Sequence, residues 1–326
     1  MTAEIRRFFA REGFTEVETP ALQHAPGCEV HLAAFSTEFA DPYGRAGRTY
    51  WLHTSPEFAM KKLLAAGMEK IFTLPHCFRN AECSDRHSPE FTMLEWYRAG
   101  ADYHAIMADT VALVRGCFAA CGVEAARHGQ MSCLVACEWE KLTVAEAFLK
   151  YAGMDIMATI DSPDNPDPDP ASIRAEAARI GVSYTESDRW EDIYFKIMLD
   201  RIEPYLGQGR PTFLCEYPAQ MAALARRKPS DRRVAERFEL YMAGLEVANA
   251  FSELTDPAEQ RARMESDMAA KARLYGSAWP VDEDFLAAIA HGLPETGGIA
   301  LGVDRLAMLI TAAPKITDIL WSPVAG

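Results

Sequence analysis

Two stretches of the chain alternate with a period of two. Residues 90–98, EFTMLEWYR, place Phe91, Met93, Glu95 and Tyr97 on one face of a predicted strand and Thr92, Leu94, Trp96 and Arg98 on the other. Residues 233–254, RVAERFELYMAGLEVANAFSEL, predict two more strands, with Asn249, Phe251 and Glu253 sharing a face. In each case a carboxylate sits among aromatic residues. A solvated face would be less aromatic and a plain core would carry no glutamate, so Glu95 reads as waiting for a cation that arrives with a ligand.

The remaining pattern fills in around these strands. Residues 2–12 predict an amphipathic helix, and FTEVETPAL a strand ended by Pro20. TYWLHTSPEF runs from a strand into a helix start, with Ser55 as N-cap, Pro56 at N1 and Glu57 in the first turn; that helix reaches Gly67, a C-cap. KIFTLPHCFRN is a strand joined by the polar loop AECSDRHSP to residues 90–98, which makes an antiparallel hairpin. Residues 101 to about 155 read as mostly helical, with Thr143 and Glu146 as a capping box, and helices resume over 171–206 after the Pro/Asp run DSPDNPDPDPAS. TFLCEY is a strand, DPAEQRARMESDMAAKARLYG a charged helix, and TGGIALGVDRLAMLITAA a Gly-rich strand entering an apolar helix. The strands at 14–20, 46–98 and 212–254 surround a helical insertion at about 101–210. This predicts one α+β domain over 1–326 with a mainly antiparallel sheet.

Charge narrows the partners. Of 326 residues, 33 are Lys or Arg and 47 are Asp or Glu, a net −14. Nucleic-acid binders draw much of their affinity from basic surfaces, so tRNA or DNA is not expected as the main partner, whereas a basic protein fits better. No apolar run reaches the roughly 18 residues of a membrane span, and residues 1–14 do not read as a secretory signal, so a cytoplasmic protein is expected. Cys117/Cys121 and Cys133/Cys137 have C-x3-C spacing instead of the usual C-x2-C of zinc sites; they read as reduced core thiols.

Three segments share an unusual composition. HCFRNAECSDRHSPEF carries Arg79, Arg86 and His87; the paired strands carry Glu239 and Glu246; LGVDRLAML carries Arg305 in the first turn of a helix. Singly, each has a plainer reading: Glu57 as a first-turn charge, Arg305 as a partner of Asp304, Glu239 and Glu246 as solvated charges. Together they supply arginines for phosphates, carboxylates for Mg2+ and an acidic, aromatic pocket for an amine. That set suits activation of a carboxylate by ATP, where positioning and charge neutralisation do the catalysis. No P-loop, G-x-G-x-x-G, H-E-x-x-H or G-x-S-x-G is present in the sequence.

At this point the chain resembles the class II aminoacyl-tRNA synthetase catalytic domain of the lysyl type. GFTEVETPAL is similar to motif 1, FRNAECSDRHSPEFTMLEWY to motif 2 and GGIALGVDRLAML to motif 3, with TSPEF, EYPAQMAALAR and RFELYMAGLEVANAFSEL matching segments between them. Motif 1 begins near residue 13, which leaves no room for an anticodon-binding domain. Within the class the chain therefore looks like the bacterial paralogues that attach (R)-β-lysine, instead of charging tRNA, to elongation factor P. The resemblance implies ATP and Mg2+, (R)-β-lysine or lysine as substrate, and a homodimer formed through motif 1. A truncated synthetase charging tRNA or another carrier with lysine is the alternative.

Carried over by position, Arg79 should hold the α-phosphate and substrate carboxylate, and Asn80, Arg86 and His87 should lie in the motif 2 loop near the phosphates. Phe91 should stack on adenine, and Arg305 should hold the γ-phosphate or cover adenine. Glu239 and Glu246 match magnesium ligands, with Glu239 also on the ATP side. Glu57 and Asn249 match contacts to the amino and carboxylate ends; Glu253, Glu95, Tyr97 and Phe251 match the pocket for the distal ammonium. Two positions depart from the synthetase pattern. Ala81 stands where motif 2 has an adenine-contacting glutamate, which leaves that role to Glu82 or a backbone group. Ala300 stands where lysyl-tRNA synthetases have glycine, as it does in the modifying paralogues.

Overall fold

The computed structural model describes residues 1–43, 47–222 and 224–324. Among these the main sheet has nine strands: β1 (Thr15–Glu16), β2 (Lys70–Thr73), β3 (His76–Phe78), β4 (Glu90–Ala99), β5 (Glu140–Thr143), β6 (Thr212–Cys215), β7 (Arg237–Met242), β8 (Leu245–Ser252) and β9 (Thr296–Gly302). Their order is β1-β2-β4-β9-β8-β7-β6-β5, with β3 also paired to β4. Only the edge pairs β1/β2 and β5/β6 are parallel; the six other pairings are antiparallel, the mainly antiparallel α+β sheet expected.

The principal helices are α1 (Thr2–Arg11), α2 (Glu57–Ala65), α3 (Tyr103–Ala120), α4 (Pro257–Tyr275), α5 (Glu283–Gly292) and α6 (Val303–Thr311). The central core buries one face of the sheet, with Leu94, Trp96, Phe238, Ala250 and Leu301, against α1, α3 and α6. A second core lies in the insertion, where Trp190, Tyr194 and Ile197 pack on Phe148 and Ile156 and reach Tyr241 of the sheet. The capping box of Thr143 and Glu146 forms as expected.

Four expectations need correction. The segment 101–155 is not mostly helical: after α3 come strands Ala125–His128 and Met131–Leu134, and then β5, which joins the main sheet. Their alternation is too short to stand out. KIFTLPHCFRN is broken at Pro75 into β2 and β3, because proline cannot donate to a ladder. Residues 48–52 belong to a separate three-stranded sheet with Leu22–Gln23 and Ser36–Phe39. Of the eight thiols, Cys83 and Cys121 are exposed and Cys137 is half-buried, so these three do not act as core hydrophobes.

The aromatic residues of FFAREGFTEVETPAL turn inward. Phe9 stacks on Phe72 with ring centroids 4.4 Å apart, and Phe8 and Phe14 join the same core. What this stretch presents outward is mostly polar, including Arg11, Glu12, Thr15, Glu16 and Glu18, with Leu22 exposed as well.

Candidate active site

The floor of the cleft is built from two rows that run across four strands. Glu95 of β4 faces Ala300 of β9, Ala300 faces Asn249 of β8, and Asn249 faces Glu239 of β7. The next row, one alternation along, is Tyr97, Gly298, Phe251 and Arg237. Alternation alone would leave Glu246 on the wrong face, since 253, 251, 249 and 247 form the series. A bulge corrects it: Leu240 pairs with Ala248 but Tyr241 pairs with Glu246, so Val247 is an extra residue and Glu246 joins the floor.

All but one of the sixteen expected site residues line this one cleft: Glu57, Arg79, Glu82, Arg86, His87, Phe91, Glu95, Tyr97, Glu239, Glu246, Asn249, Phe251, Glu253, Ala300 and Arg305. Asn80 is the exception. Its amide oxygen accepts the N–H of Ala81 at 2.9 Å and its own N–H bonds Ala33. Ala81 has φ +66°, the left-handed region that alanine adopts with strain, and the Asn80 side chain holds that turn.

At one end of the cleft the arginines gather. Arg79 lies over the Phe91 ring at 5.1 Å and 3.9 Å from Glu82; its buried Nε has no protein partner. Arg305 donates to His87 Nε2 at 2.7 Å and to the carbonyl of Glu246 at 2.9 Å. A guanidinium can only donate, so Nε2 accepts and Nδ1 carries the proton toward Ser84 Oγ, 2.8 Å away. Burial and the charge of Arg305 lower the pKa of His87 below its ordinary value, consistent with that neutral ring. Asp304 does not pair with Arg305; it accepts the N–H of Thr92 at 2.6 Å and fixes the start of α6 against β4.

Glu239 is held by residues that sequence reasoning missed. Arg237 donates to Glu239 at 2.6 Å, to Asn249 Oδ1 at 3.1 Å and to the carbonyl of Met221 at 2.6 Å, and Tyr241 donates to the other Glu239 oxygen at 2.8 Å. With its oxygen occupied, Asn249 offers its amide N–H groups to the cleft. Burial and the nearby Glu239 raise the pKa of Glu246, with Arg305 in partial opposition. Two carboxylates with oxygen donors, one of them destabilised by the other, fit a Mg2+ ion that completes its shell with phosphate oxygens and water. Among the described residues no group of three or more His, Cys, Asp or Glu is arranged to hold a metal unaided.

The opposite end is acidic and carries an unexpected cation. Glu95 accepts from Ser55 Oγ at 2.5 Å and from the Tyr97 hydroxyl at 2.8 Å. Burial, reinforced by Glu57, pushes its carboxyl up to about 8. Glu253 is also buried, and its carboxyl is likewise raised by desolvation. Between Glu57 and Glu253 sits Lys61, 1% exposed and ion-paired to both. Burial opposes its charge, but the two carboxylates outweigh that and its pKa rises. Ser55 Oγ accepts the N–H of Glu57 at 3.1 Å, so the residue expected as an N-cap also ties α2 to Glu95. Glu29, from the loop between the Leu22–Gln23 and Ser36–Phe39 strands of the small sheet, lines this end as well and was not anticipated.

The chain matches the family model described as tRNA synthetases class II (D, K and N) over residues 1–325. It is 39% identical over 328 residues to the elongation factor P–(R)-β-lysine ligase of Proteus mirabilis, covering 99% of this chain and 93% of that protein. The protein of the same name from Pectobacterium carotovorum is 40% identical, with 98% and 91% covered; that from Hamiltonella defensa is 37% identical, with 99% and 93% covered.

Proposed function

The chain belongs to the class II tRNA synthetase family of the D, K and N type, and from that premise we propose that it activates (R)-β-lysine with ATP and transfers it to a lysine side chain of elongation factor P. The activity is that of an ATP-dependent ligase. The naming of relatives 37–40% identical over nearly the whole chain supports the choice of amino acid and acceptor. The observation that carries the reading at the site is the single row Glu95–Ala300–Asn249–Glu239, which joins an ammonium-seeking end to a phosphate-seeking end on one rigid floor.

In the first step an oxygen of the substrate carboxylate attacks the α-phosphorus of ATP. A new O–P bond forms, the bond to the bridging oxygen breaks, and pyrophosphate leaves with that oxygen. Arg79 orients the carboxylate and α-phosphate, with Phe91 as the surface for adenine; Arg305, with Arg86 and the neutral His87, faces the outer phosphates. Neutralising phosphate charge in a site where the arginines are already placed lowers the barrier without a protein base. Glu239 and Glu246 would hold Mg2+, which supplies further charge neutralisation when bound. The distal ammonium of the substrate enters the Glu95, Tyr97 and Glu253 end, with Asn249 and Glu57 toward the reacting end.

In the second step the neutral ε-amine of the acceptor lysine attacks the carbonyl carbon of the mixed anhydride. The C–N bond forms, the C–O bond to phosphate breaks, AMP leaves, and the amine gives up one proton to yield an amide. A homodimer, a cytoplasmic location and independence from tRNA belong to the same proposal.

The test is the intact mass of elongation factor P after incubation with this protein, ATP, Mg2+ and (R)-β-lysine, beside a parallel reaction offering the tRNA for lysine. A gain of one β-lysyl group with no charged tRNA supports the proposal. Charged tRNA with unchanged protein overturns it.

A further inference from the structure

We propose that Glu29 is a specificity-determining residue, the carboxylate that receives the amino group nearer the substrate's carboxyl and so favours a β-amino over an α-amino acid. The assignment rests on the ligase reading above and adds a residue that reading does not use.

The loop bearing Glu29 is fixed through its backbone. Lys271 of α4, lying 4.0 Å over the Trp279 ring, donates to the carbonyls of Glu29 at 3.4 Å, Val30 at 2.9 Å and Leu32. Trp279 Nε1 donates to the carbonyl of Gly27 at 2.6 Å. An ammonium has three protons, and Lys271 directs all of them to carbonyls. Lys271 therefore holds the shape of the loop and leaves none of its protons for the Glu29 carboxylate.

Glu29 is part of the cleft wall, and its Oε2 is buried with no hydrogen-bond partner. Position 27 lacks a side chain where the carboxylate folds back: a Cβ there would lie 2.3 Å from Glu29 Oε2. Burial and the charge of Glu57 raise the Glu29 carboxyl, while backbone hydrogen bonds from Glu29 itself and Cys28 and the charge of Arg79 pull it down. Its electrostatic neighbours thus bracket the stretch between the amine end and the arginine that would orient the substrate carboxylate. Glu253 Oε1, also buried and without a hydrogen-bond partner, marks the other half of the same need.

Counting charge makes the requirement specific. Among the described residues, Lys61 is ion-paired to Glu57 and Glu253 but to neither Glu29 nor Glu95, and Arg79 acts on Glu29 only through space. Glu57 and Glu253 share Lys61, which leaves Glu95 and Glu29 for a ligand with two ammonium groups. A diamino acid supplies both. Moving the nearer amine from the α to the β carbon carries it about 1.5 Å, one bond length, away from the carboxylate anchored at Arg79. Glu29 stands on a loop and Glu57 on α2, so Glu29 can meet the displaced amine while Glu57 stays with Lys61.

ATP–pyrophosphate exchange with (R)-β-lysine and with α-lysine, on wild type, Glu29→Gln and Gly27→Ala, tests this. Glu29→Gln removes the charge in nearly the same volume, and Gly27→Ala displaces the carboxylate while keeping it. Both variants are expected to lower the ratio of kcat/KM for β-lysine over α-lysine by about tenfold or more. An unchanged ratio, whether both substrates suffer equally or neither does, overturns the role of Glu29. Wild type that activates neither amino acid sinks the ligase proposal itself, whereas wild type that modifies elongation factor P with an unmoved ratio in the variants sinks only this inference. Melting temperature and ATP binding of each variant separate a lost ratio from a lost fold.

Discussion

Lys61 and Glu253 form an ion pair in which each side chain is only 1% exposed, with Glu57 as the second acidic partner. The pair lies beneath Phe251 and Phe285, whose ring centroids are 5.4 and 5.8 Å from the ammonium. Removing one partner of a buried pair leaves an uncompensated charge, a cost of about 3–5 kcal/mol. Lys61→Met is therefore expected to lower unfolding free energy by that order in a denaturant titration. Adding Glu253→Gln should recover part of the loss, because it removes one of the stranded carboxylates; no recovery would place the destabilisation elsewhere.

Glu95 gives a pH signature. A carboxyl raised to about 8 stays protonated in the empty cleft at neutral pH, and an arriving ammonium favours the charged form and lowers that pKa. Binding should release protons, and affinity for the diamino acid should rise as pH goes from about 6 to 8. Calorimetry in buffers of different ionisation enthalpy measures the release, and Glu95→Gln should abolish most of it. The same shift acts on stability. The folded state holds the proton after the unfolded chain has lost it, so this group's contribution falls as pH rises from about 4.5 to 8.

Gly298 is enclosed. A Cβ there would lie 2.1 Å from Glu253 Oε1 and 2.5 Å from the Tyr97 ring. Gly298→Ala must push one or both aside, at a cost of about 1–3 kcal/mol from overpacking. A raised KM for the amino acid with little change in the KM for ATP is the expected kinetic result, since the clash sits in the amine half of the floor.

Arg237 serves both halves. It bonds Asn249 and Glu239 together, so Arg237→Met should weaken the amino acid and ATP alike, unlike Gly298→Ala. Steady-state kinetics with each substrate varied in turn separates the two patterns. A loss confined to one substrate would contradict the linking role.

The sequence disclosed what alternation can disclose. Phe91, Met93, Glu95 and Tyr97 do line the cleft together, as do Asn249, Phe251 and Glu253. Glu246 was singled out by composition with Glu239, not by alternation, because the bulge at Val247 breaks the period that alternation depends on. Lys61 stands beside Lys62 in α2, and the two look like one solvated pair. Packing of α2 against α5 separates them, burying Lys61 while the part-exposed Lys62 reaches the buried Asp282. No local pattern foretold α5 above it. Arg237 alternates with Glu239 and so shared its apparent exposure, and Glu29 lies in a loop whose shape comes from Lys271, some 240 residues away in sequence. Long-range partners decided each of these.

The extra residue at Val247 divides β8 into two lengths that differ in phase. On the function proposed above, the upward position before it faces the nucleotide and those beyond it face the amino acid. Mutation can revise either length without reversing the other's orientation, so the cleft could acquire a new acyl substrate while its energy source stayed fixed. Deleting that one residue would turn a carboxylate under the sheet and uncouple the two halves, with every other side chain still present.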